Sequence, residues 1–144
     1  MVKKIKVKNA RIIKLQFFND FPDGNLVIGE EKKSVPFAIK RFYFINHLYN
    51  PRTIRGWHAH KNLQQIILCL NGSFQLTLDD GRIKQKILMN DPYAGVYLGS
   101  RVWRVMTKFS PDCVILAVAD DFYKKSDYIR DYQEFLKYVK SHKK

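Results

Sequence analysis

Short apolar runs separated by turn residues are the feature that most constrains how this chain folds. Many of the runs alternate apolar and polar residues, as residues 73–80 do, and period-two alternation is typical of a strand with one buried face. The 144-residue chain carries about nine such runs, most of them bounded by Gly, Pro, Asn or Asp. They are KIKVKNARIIKLQ, NLVIGEE, FAIKRFYFIN, QQIILCLNG, SFQLTLDD, RIKQKILMN, GVYLG, RVWRVMTKF and CVILAVAD. The pattern predicts an all-β fold in one domain, residues 1–144.

Two turn sequences predict tight hairpins between consecutive strands. Asn71-Gly72 and Asp79-Asp80-Gly81 both place Asn or Asp before Gly. These residues adopt the positive φ angles that tight hairpin turns require. We therefore expect an antiparallel hairpin at each position.

The C-terminal segment has a different periodicity. Its apolar residues follow helical spacing from Tyr128 to Val139, while Ser126 is a suitable N-cap and Asp127 suits the first turn. This predicts strands over about 5–120 and a helix over about 126–140. Many short strands followed by one helix favour a closed or double-sheet β-barrel with a C-terminal α-helix, and such barrels bind ligands at their mouths.

The net charge of +13 indicates an anionic partner such as nucleic acid, an acidic membrane surface or a phosphorylated small molecule. The Lys and Arg residues are spread over nearly every strand, without the basic stripe and exposed aromatics typical of nucleic-acid binding. No apolar run approaches the roughly 18 residues that cross a bilayer. We therefore expect neither a nucleic-acid nor a membrane partner.

The location of the protein is indicated by its N-terminus and its two cysteines. The first residues lack the apolar run and cleavage site of a secretory signal. Cys69 and Cys113 lie inside apolar runs and lack metal-binding spacing, so we expect buried thiols. Both observations favour a cytoplasmic protein.

The chemistry is concentrated in residues 55–61, RGWHAHK. Because side chains alternate along a strand, His58 and His60 are expected on the same face. Two adjacent imidazoles suit either metal ligation or proton transfer.

The spacing of His58, His60, Gln65 and Gly72 resembles the first motif of the cupin superfamily of small β-barrels. In cupins an acidic metal ligand occupies the position of Gln65, and a second motif supplies a further His. By that resemblance Arg104 or Trp103 stands at the second-motif position. An amide is a poor metal ligand, and a guanidinium repels cations. Since a bound Zn²⁺ or Fe²⁺ normally needs three protein ligands, we expect no metal and no cofactor.

A closer resemblance covers about residues 8–139. The segments FAIKRFYFI, RGWHAHK, QIILCLNGSFQLTLDDG, VWRVM and SDYIRDYQEFLKY are similar to those of the dTDP-4-keto-6-deoxyhexose 3,4-ketoisomerases. These are metal-independent cupins with a jelly-roll fold. They convert dTDP-4-keto-6-deoxyglucose to a 3-keto sugar for an aminotransferase in deoxyamino-sugar pathways. The resemblance therefore implies a dTDP-sugar substrate, and it also implies a homodimer.

The implied reaction moves a carbonyl by one carbon through an enediol. Histidine suits the proton transfers because its pKa lies near neutral pH. Our hypothesis is that His60 handles the carbon-bound proton and His58 relays the proton between the oxygens; the reverse assignment is also open. Tyr43 and Gln65 are candidate donors to the enediolate, and Tyr43 is counted with the catalytic residues.

The substrate's pyrophosphate and thymine require cationic and aromatic side chains. Guanidinium groups match phosphate oxygens in shape and charge, and aromatic rings stack on the base or the sugar. The candidates for substrate binding are Arg55, Arg104, Gln65, Lys61, Arg41, Trp103 and Tyr97.

Two other functions are alternatives. A dTDP-4-keto sugar 3,5-epimerase is also a metal-free cupin, but it relies on a His-Asp pair and a tyrosine acid. The absence of an acidic neighbour beside His58 and His60 in the sequence argues against it. A non-catalytic sugar-binding cupin is the second alternative, and it would not need the histidine pair.

Overall fold

The computed structural model describes residues 4–143 as an arrangement of short strands with one α-helix near the end. The strands are β1 (Ala10–Lys14), β2 (Gln16–Asn19), β3 (Asn25–Ile28), β4 (Arg41–Ile45), β5 (Arg55–His60), β6 (Gln65–Asn71), β7 (Phe74–Asp79), β8 (Lys84–Met89), β9 (Ala94–Leu98), β10 (Trp103–Thr107), β11 (Val114–Ala119) and β12 (Tyr128–Ile129). A 3₁₀ helix spans Lys125–Asp127, and α1 spans Tyr132–Ser141. No helix within residues 4–143 has the length and apolar character needed to cross a membrane.

Most strands belong to two antiparallel sheets of five strands each. Sheet I has the order β1-β9-β6-β11-β4, and sheet II has the order β12-β5-β10-β7-β8. The hairpin of β2 and β3 forms a separate two-stranded sheet. The all-β prediction with a C-terminal helix is confirmed, in the form of two open sheets that face each other.

The core lies between the two sheets. In β7 the alternating residues Phe74, Leu76 and Leu78 are buried, as the sequence pattern predicts, and they pack against residues of sheet I such as Ile67 and Ile115. Cys69 and Cys113 belong to the same cluster, and both are free thiols. The outer face of sheet II is covered by α1. There the buried residues are Ala59, Trp103, Ile129 and Phe135.

One predicted hairpin is confirmed and the other is wrong. β7 and β8 pair through the turn that contains Gly81, with Asp79 opposite Lys84. The Asn71-Gly72 turn instead joins β6 of sheet I to β7 of sheet II. Asn71 is paired with Val114 of β11. The turn residues specify a change of chain direction, but they do not decide which sheet the next strand joins.

The predicted helix start at about residue 126 is also wrong. The helix begins at Tyr132, and Asp131 is its N-cap, with a side chain that accepts a hydrogen bond from the Glu134 N–H at 2.9 Å. Upstream of it, Tyr128 and Ile129 pair with His60 and Ala59 of β5. Strand pairing and burial of Ile129 therefore override the local helical pattern, and they bring residues 125–130 beside the histidine pair.

Candidate active site

β5 holds His58 and His60 side by side. Their ring centroids are 4.9 Å apart, and the rings meet edge to face. His60 is 1% exposed, whereas His58 is partly buried. This adjacency is the arrangement that period-two alternation predicts for two residues separated by one position.

Asp127 is an acidic partner of His60 that the sequence analysis missed. His60 Nδ1 lies 3.0 Å from Asp127 Oδ2, across 67 positions of sequence. Because a carboxylate only accepts hydrogen bonds, Nδ1 carries the proton and Nε2 keeps its lone pair. His60 Nε2 is buried and has no hydrogen-bond partner among the described residues. The expectation that the pair has no acidic neighbour is therefore wrong, and it no longer argues against an epimerase.

A β-bulge turns Arg55 toward the face of the histidines. Arg104 of β10 lies opposite His58 and Met106 lies opposite Arg55, with a register shift between these pairs. Trp57 is the extra residue in β5, and its φ angle is 55°. Simple alternation would put Arg55 and His58 on opposite faces, but the extra residue restores them to one face.

Arg104, Gln65 and Tyr43 form a hydrogen-bonded chain that begins in the core. Arg104 Nη1 donates to Gln65 Oε1 at 2.6 Å, and Gln65 Nε2 donates to the Tyr43 hydroxyl at 3.3 Å. Arg104 and Gln65 are 1% and 2% exposed, and Tyr43 is 37% exposed. The chain therefore extends from a buried positive charge to an accessible hydroxyl group.

Burial and positive charge keep both histidines neutral. Burial is the larger cause and the Arg104 guanidinium the next, and together they lower the pKa of His58 to about 4 and that of His60 to about 2. Burial also lowers the pKa of Arg104 to about 10, so its guanidinium stays charged at neutral pH. Two neutral imidazoles beside a fixed cation can accept protons.

These residues do not fit a metal ion. The Gln65 amide oxygen already accepts a hydrogen bond from Arg104. The Arg104 guanidinium acts on both imidazoles as a positive charge and would repel a cation. Within residues 4–143 no three His, Cys, Asp or Glu side chains are grouped as metal ligands.

The C-terminal segment also places an aromatic ring over the histidines. The Tyr128 centroid is 5.0 Å from that of His58 and 4.4 Å from that of His60. The Arg130 guanidinium lies 4.2 Å from the centroid of Tyr128. The helical spacing after Ser126 hid these residues, because it predicts that they lie in a helix. The one available signal was the SDYIRDYQEFLKY segment, on which the family resemblance partly rests.

Of the remaining predicted binding residues, Arg41 lies near the site. It occupies the same face of β4 as Tyr43, two positions away, and its guanidinium carbon is 5.9 Å from the Tyr43 centroid. Its Nε atom is buried without a hydrogen-bond partner among residues 4–143. Arg41 therefore adds a second cation on the side of Tyr43.

Three other predicted residues lie elsewhere. Trp103 is buried against α1, with its ring centroid 5.3 Å from that of Tyr132. Tyr97 belongs to the apolar cluster on the outer face of sheet I, and its hydroxyl donates to Gln64 Oε1 at 2.6 Å. The Lys61 ammonium lies 6.0 Å from the Tyr138 ring of α1. The structure does not bring these three side chains to the histidine pair.

Comparison with known proteins identifies the family of this chain. The family model described as "FdtA: WxcM-like, C-terminal" matches residues 8–140. The chain belongs to this family. A curated relative from Aneurinibacillus thermoaerophilus, TDP-4-oxo-6-deoxy-alpha-D-glucose-3,4-oxoisomerase, is 48% identical over 116 residues, which cover 81% of this chain and 83% of the relative.

Solved structures of two named 3,4-ketoisomerases superpose closely on this chain, and an epimerase superposes less closely. A mutant of the 3,4-ketoisomerase QdtA from Thermoanaerobacterium thermosaccharolyticum, in complex with TDP-4-keto-6-deoxyglucose, has a TM-score of 0.90 and 37% identity over 94% of this chain and 97% of its own. The TDP-quinovose 3,4-ketoisomerase WlaRB from Campylobacter jejuni has a TM-score of 0.86 and 43% identity, covering 91% and 99%. A dTDP-4-dehydrorhamnose 3,5-epimerase from Bacillus anthracis has 16% identity and shares the fold alone, with a TM-score of 0.74 over 89% of this chain and 81% of the epimerase.

Proposed function

We propose that this protein is a 3,4-ketoisomerase that converts dTDP-4-keto-6-deoxyglucose to a dTDP-3-keto-6-deoxyhexose. The supporting observation is the pair of neutral, adjacent imidazoles on β5, in a chain that belongs to the FdtA family. His60 Nε2 is buried and unpartnered among the described residues, as a base that waits for a substrate proton should be.

The proton transfers balance without any external reactant. His60 removes the C3 proton, which the C4 ketone acidifies, and the C–H electron pair forms a C3–C4 double bond while O4 becomes an enolate oxygen. His58 transfers a proton from O3 to O4, so that the enediolate charge moves to O3. When C4 is reprotonated from His60, O3 becomes the new ketone. The net change is an isomerisation, and both histidines return to their neutral state.

The enediolate carries negative charge, and this site supplies groups that stabilise it. The Tyr43 hydroxyl can donate a hydrogen bond to the charged oxygen, while Gln65 holds that hydroxyl in place. The Arg104 guanidinium is held by Gln65 and by the Val102 carbonyl, so it acts as a fixed charge in a region of low dielectric constant. Its burial makes it a poor ligand for a pyrophosphate group.

Pyrophosphate binding is therefore a role for the more exposed arginines. Arg55 lies on the histidine face at the solvent-exposed start of β5. Arg41 lies on the side of Tyr43 and contributes a second positive charge. Guanidinium groups bind phosphate oxygens in a bidentate manner, which would orient the sugar toward the histidines.

Incubation with dTDP-4-keto-6-deoxyglucose in deuterated water tests this function. NMR should show a 3-keto product, with deuterium at C4 wherever the proton held by His60 exchanges with solvent before C4 is reprotonated. A parallel reaction in ordinary water keeps H4, and the H4–H5 coupling constant then identifies the configuration. An epimerase would keep the 4-keto group and would introduce deuterium at C3 and C5. Epimerisation would overturn the proposal, and so would the absence of turnover, which a non-catalytic sugar-binding protein would give.

We also propose that the protein is a homodimer. Phe42 and Phe44 on the outer face of sheet I are 66% and 59% exposed. A groove of about 450 Å³ on the same face is lined by apolar residues that include Leu68 and Leu116. Exposed apolar patches of this kind mark association surfaces. Light scattering should give twice the chain mass of 17.0 kDa, and a monomer mass would contradict the proposal.

We also propose that the protein is cytoplasmic. Its support is the pair of free, buried thiols, Cys69 and Cys113, which suit a reducing compartment. Fractionation of the source cells, with an antibody against this chain, should recover it with cytoplasmic markers. Recovery with extracellular or envelope markers would contradict it.

A further inference from the structure

We propose that Asp127 is a positioning residue of the reaction, which fixes His60 in its Nδ1–H tautomer and stabilises the imidazolium formed when Nε2 takes a proton. This inference rests on the proposed function for its kinetic consequences. The hydrogen bond between the two side chains stands independently of any activity. Asp127 acts through His60, and no contact between Asp127 and the substrate is required.

The carboxylate of Asp127 is held rigidly. Oδ1 accepts a hydrogen bond from the Asn62 N–H at 2.8 Å, and Oδ2 accepts one from the Leu63 N–H at 3.3 Å. The main-chain carbonyl of Asp127 accepts from the Lys61 N–H at 2.9 Å. These contacts tie the 3₁₀ helix to the loop after β5. The carboxylate therefore has a fixed orientation toward His60 Nδ1.

His58 provides an internal contrast. Its Nδ1 atom lies 2.9 Å from the Gly56 carbonyl oxygen, which also only accepts hydrogen bonds. Both rings therefore carry the proton on Nδ1 and leave Nε2 bare. The two partners differ in charge, because Gly56 contributes a neutral carbonyl and Asp127 an anion. After proton uptake at Nε2, the His60 imidazolium pairs with an opposite charge, whereas the His58 imidazolium donates to a neutral carbonyl.

The other titratable groups around His60 disfavour its protonation. Arg104 of β10, Arg41 of β4 and Arg130 of the C-terminal segment are cations, and the neutral His58 ring of β5 would add a further positive charge if it took a proton. Tyr128 packs against the ring from β12. Against these cations, Asp127 is the carboxylate that the described structure places in hydrogen-bond contact with the ring. A base in this position can hold a proton transiently because the carboxylate offsets part of the repulsion.

Asp127→Asn is the variant that separates charge from shape. Its amide oxygen can still accept from the Asn62 N–H, but its NH₂ group would then face His60 Nδ1 and favour the Nε2–H tautomer. We expect kcat to fall about 100-fold or more, with KM within about threefold, because a misplaced tautomer impairs proton transfer more than binding. The acid limb of the kcat profile should move to lower pH, since the anion that stabilises the imidazolium is gone.

Asp121→Asn is the matched control. Asp121 lies just before the 3₁₀ helix, is partly exposed, and pairs with Lys124 at 2.6 Å. Its removal should leave kcat, KM and the pH profile unchanged. Asp127→Glu keeps the negative charge and should recover part of the lost kcat. Equal losses in Asp127→Glu and Asp127→Asn would overturn the assignment, and so would an unchanged kcat in Asp127→Asn.

The tautomer of His60 can be measured without substrate. The ¹⁵N chemical shifts of the labelled wild-type protein should show a protonated Nδ1 and a bare Nε2, and Asp127→Asn should change this state. A wild-type protein that lacks turnover but has this tautomer overturns the proposed function and supports the His60–Asp127 pair. If Asp127→Asn does not fold, the wild-type spectrum decides, because an Nε2–H tautomer in it overturns the inference.

Discussion

The two ends of β5 differ in burial, in strand pairing and in hydrogen bonding. The His60 end pairs with β12, is buried, and has a carboxylate as its hydrogen-bond partner. The Arg55 end contains a bulge and is exposed to solvent, and Trp57 in this bulge is 54% exposed. In the proposed reaction, one short strand would therefore supply a firmly held base at one end and a solvent-exposed substrate contact at the other. Proton transfer needs fixed geometry, whereas a diphosphate can bind at a solvent-exposed strand end through direct and water-mediated hydrogen bonds.

Loss of the base at the buried end should have the largest effect. His60→Asn keeps a donor for Asp127 but removes the lone pair that accepts the carbon-bound proton, so kcat should fall about 10³-fold. Deuterium incorporation into the sugar measures this step directly. His47→Asn is the control, because His47 is exposed and its φ of 56° suits Asn. Undiminished exchange in His60→Asn would assign the carbon base to another residue.

A substitution within the bulge should have the next largest effect, which is a loss of stability. Gly56 has a φ of 91°, and a Cβ atom added there would lie 2.7 Å from the Arg104 carbonyl oxygen. Gly56→Ala should therefore lower the free energy of unfolding by about 2–4 kcal/mol, as measured by urea denaturation. Gly24→Ala is the control, because Gly24 has a φ of 116° but nothing within 4 Å of the added Cβ. Similar losses in both variants would contradict a role for close strand packing.

Removal of the cation at the exposed end should affect binding and leave the chemistry intact. Arg55→Ala should raise KM about tenfold with kcat nearly unchanged, because a lost phosphate contact weakens substrate and transition state alike. Arg52→Ala removes an exposed arginine from the preceding turn and serves as the control. Steady-state kinetics distinguish the outcomes, and a fall in kcat alone would place Arg55 in the chemical step.

The smallest expected effect is that of pH near neutrality. Burial and Arg104 lower the pKa of His58 to about 4 and the pKa of His60 also lies below its usual value, so both bases stay deprotonated as the pH falls past 6.5. The kcat/KM of the free enzyme should therefore stay nearly constant between about pH 6 and 8, and its acid limb should lie below 6.5. An acid limb at pH 6.5 or above would show that the pKa values of the histidines are not lowered in this way.

Much of the fold follows from local patterns in the sequence. The alternation in β7 predicts which of its side chains are buried, and the spacing of His58 and His60 predicts that their rings are neighbours. By resemblance to cupins, Gln65 and either Arg104 or Trp103 are predicted at metal-ligand positions that face the site. Gln65 and Arg104 bond to each other there, whereas Trp103 packs against α1. These predictions need only the period of a strand or a family motif.

The errors all concern relations between distant segments. A turn sequence at Asn71-Gly72 does not reveal that the chain changes sheet, and the helical spacing after Ser126 does not reveal that Tyr128 pairs with β5. The helix therefore starts later than its sequence pattern predicts. For the same reason the sequence hides the contact between His60 and Asp127.

The sequence by itself determined the strand pattern and the histidine pair, and its resemblance to cupins placed Gln65 at a metal-ligand position while leaving Arg104 and Trp103 as alternatives for a second one. The tertiary structure decided that Arg55 joins the histidine face, that Trp103 is buried under α1, and that Asp127 bonds to His60. The physical reason is the range of the interactions. Side-chain alternation acts over two residues, whereas the bulge and the carboxylate contact depend on packing between strands far apart in the chain.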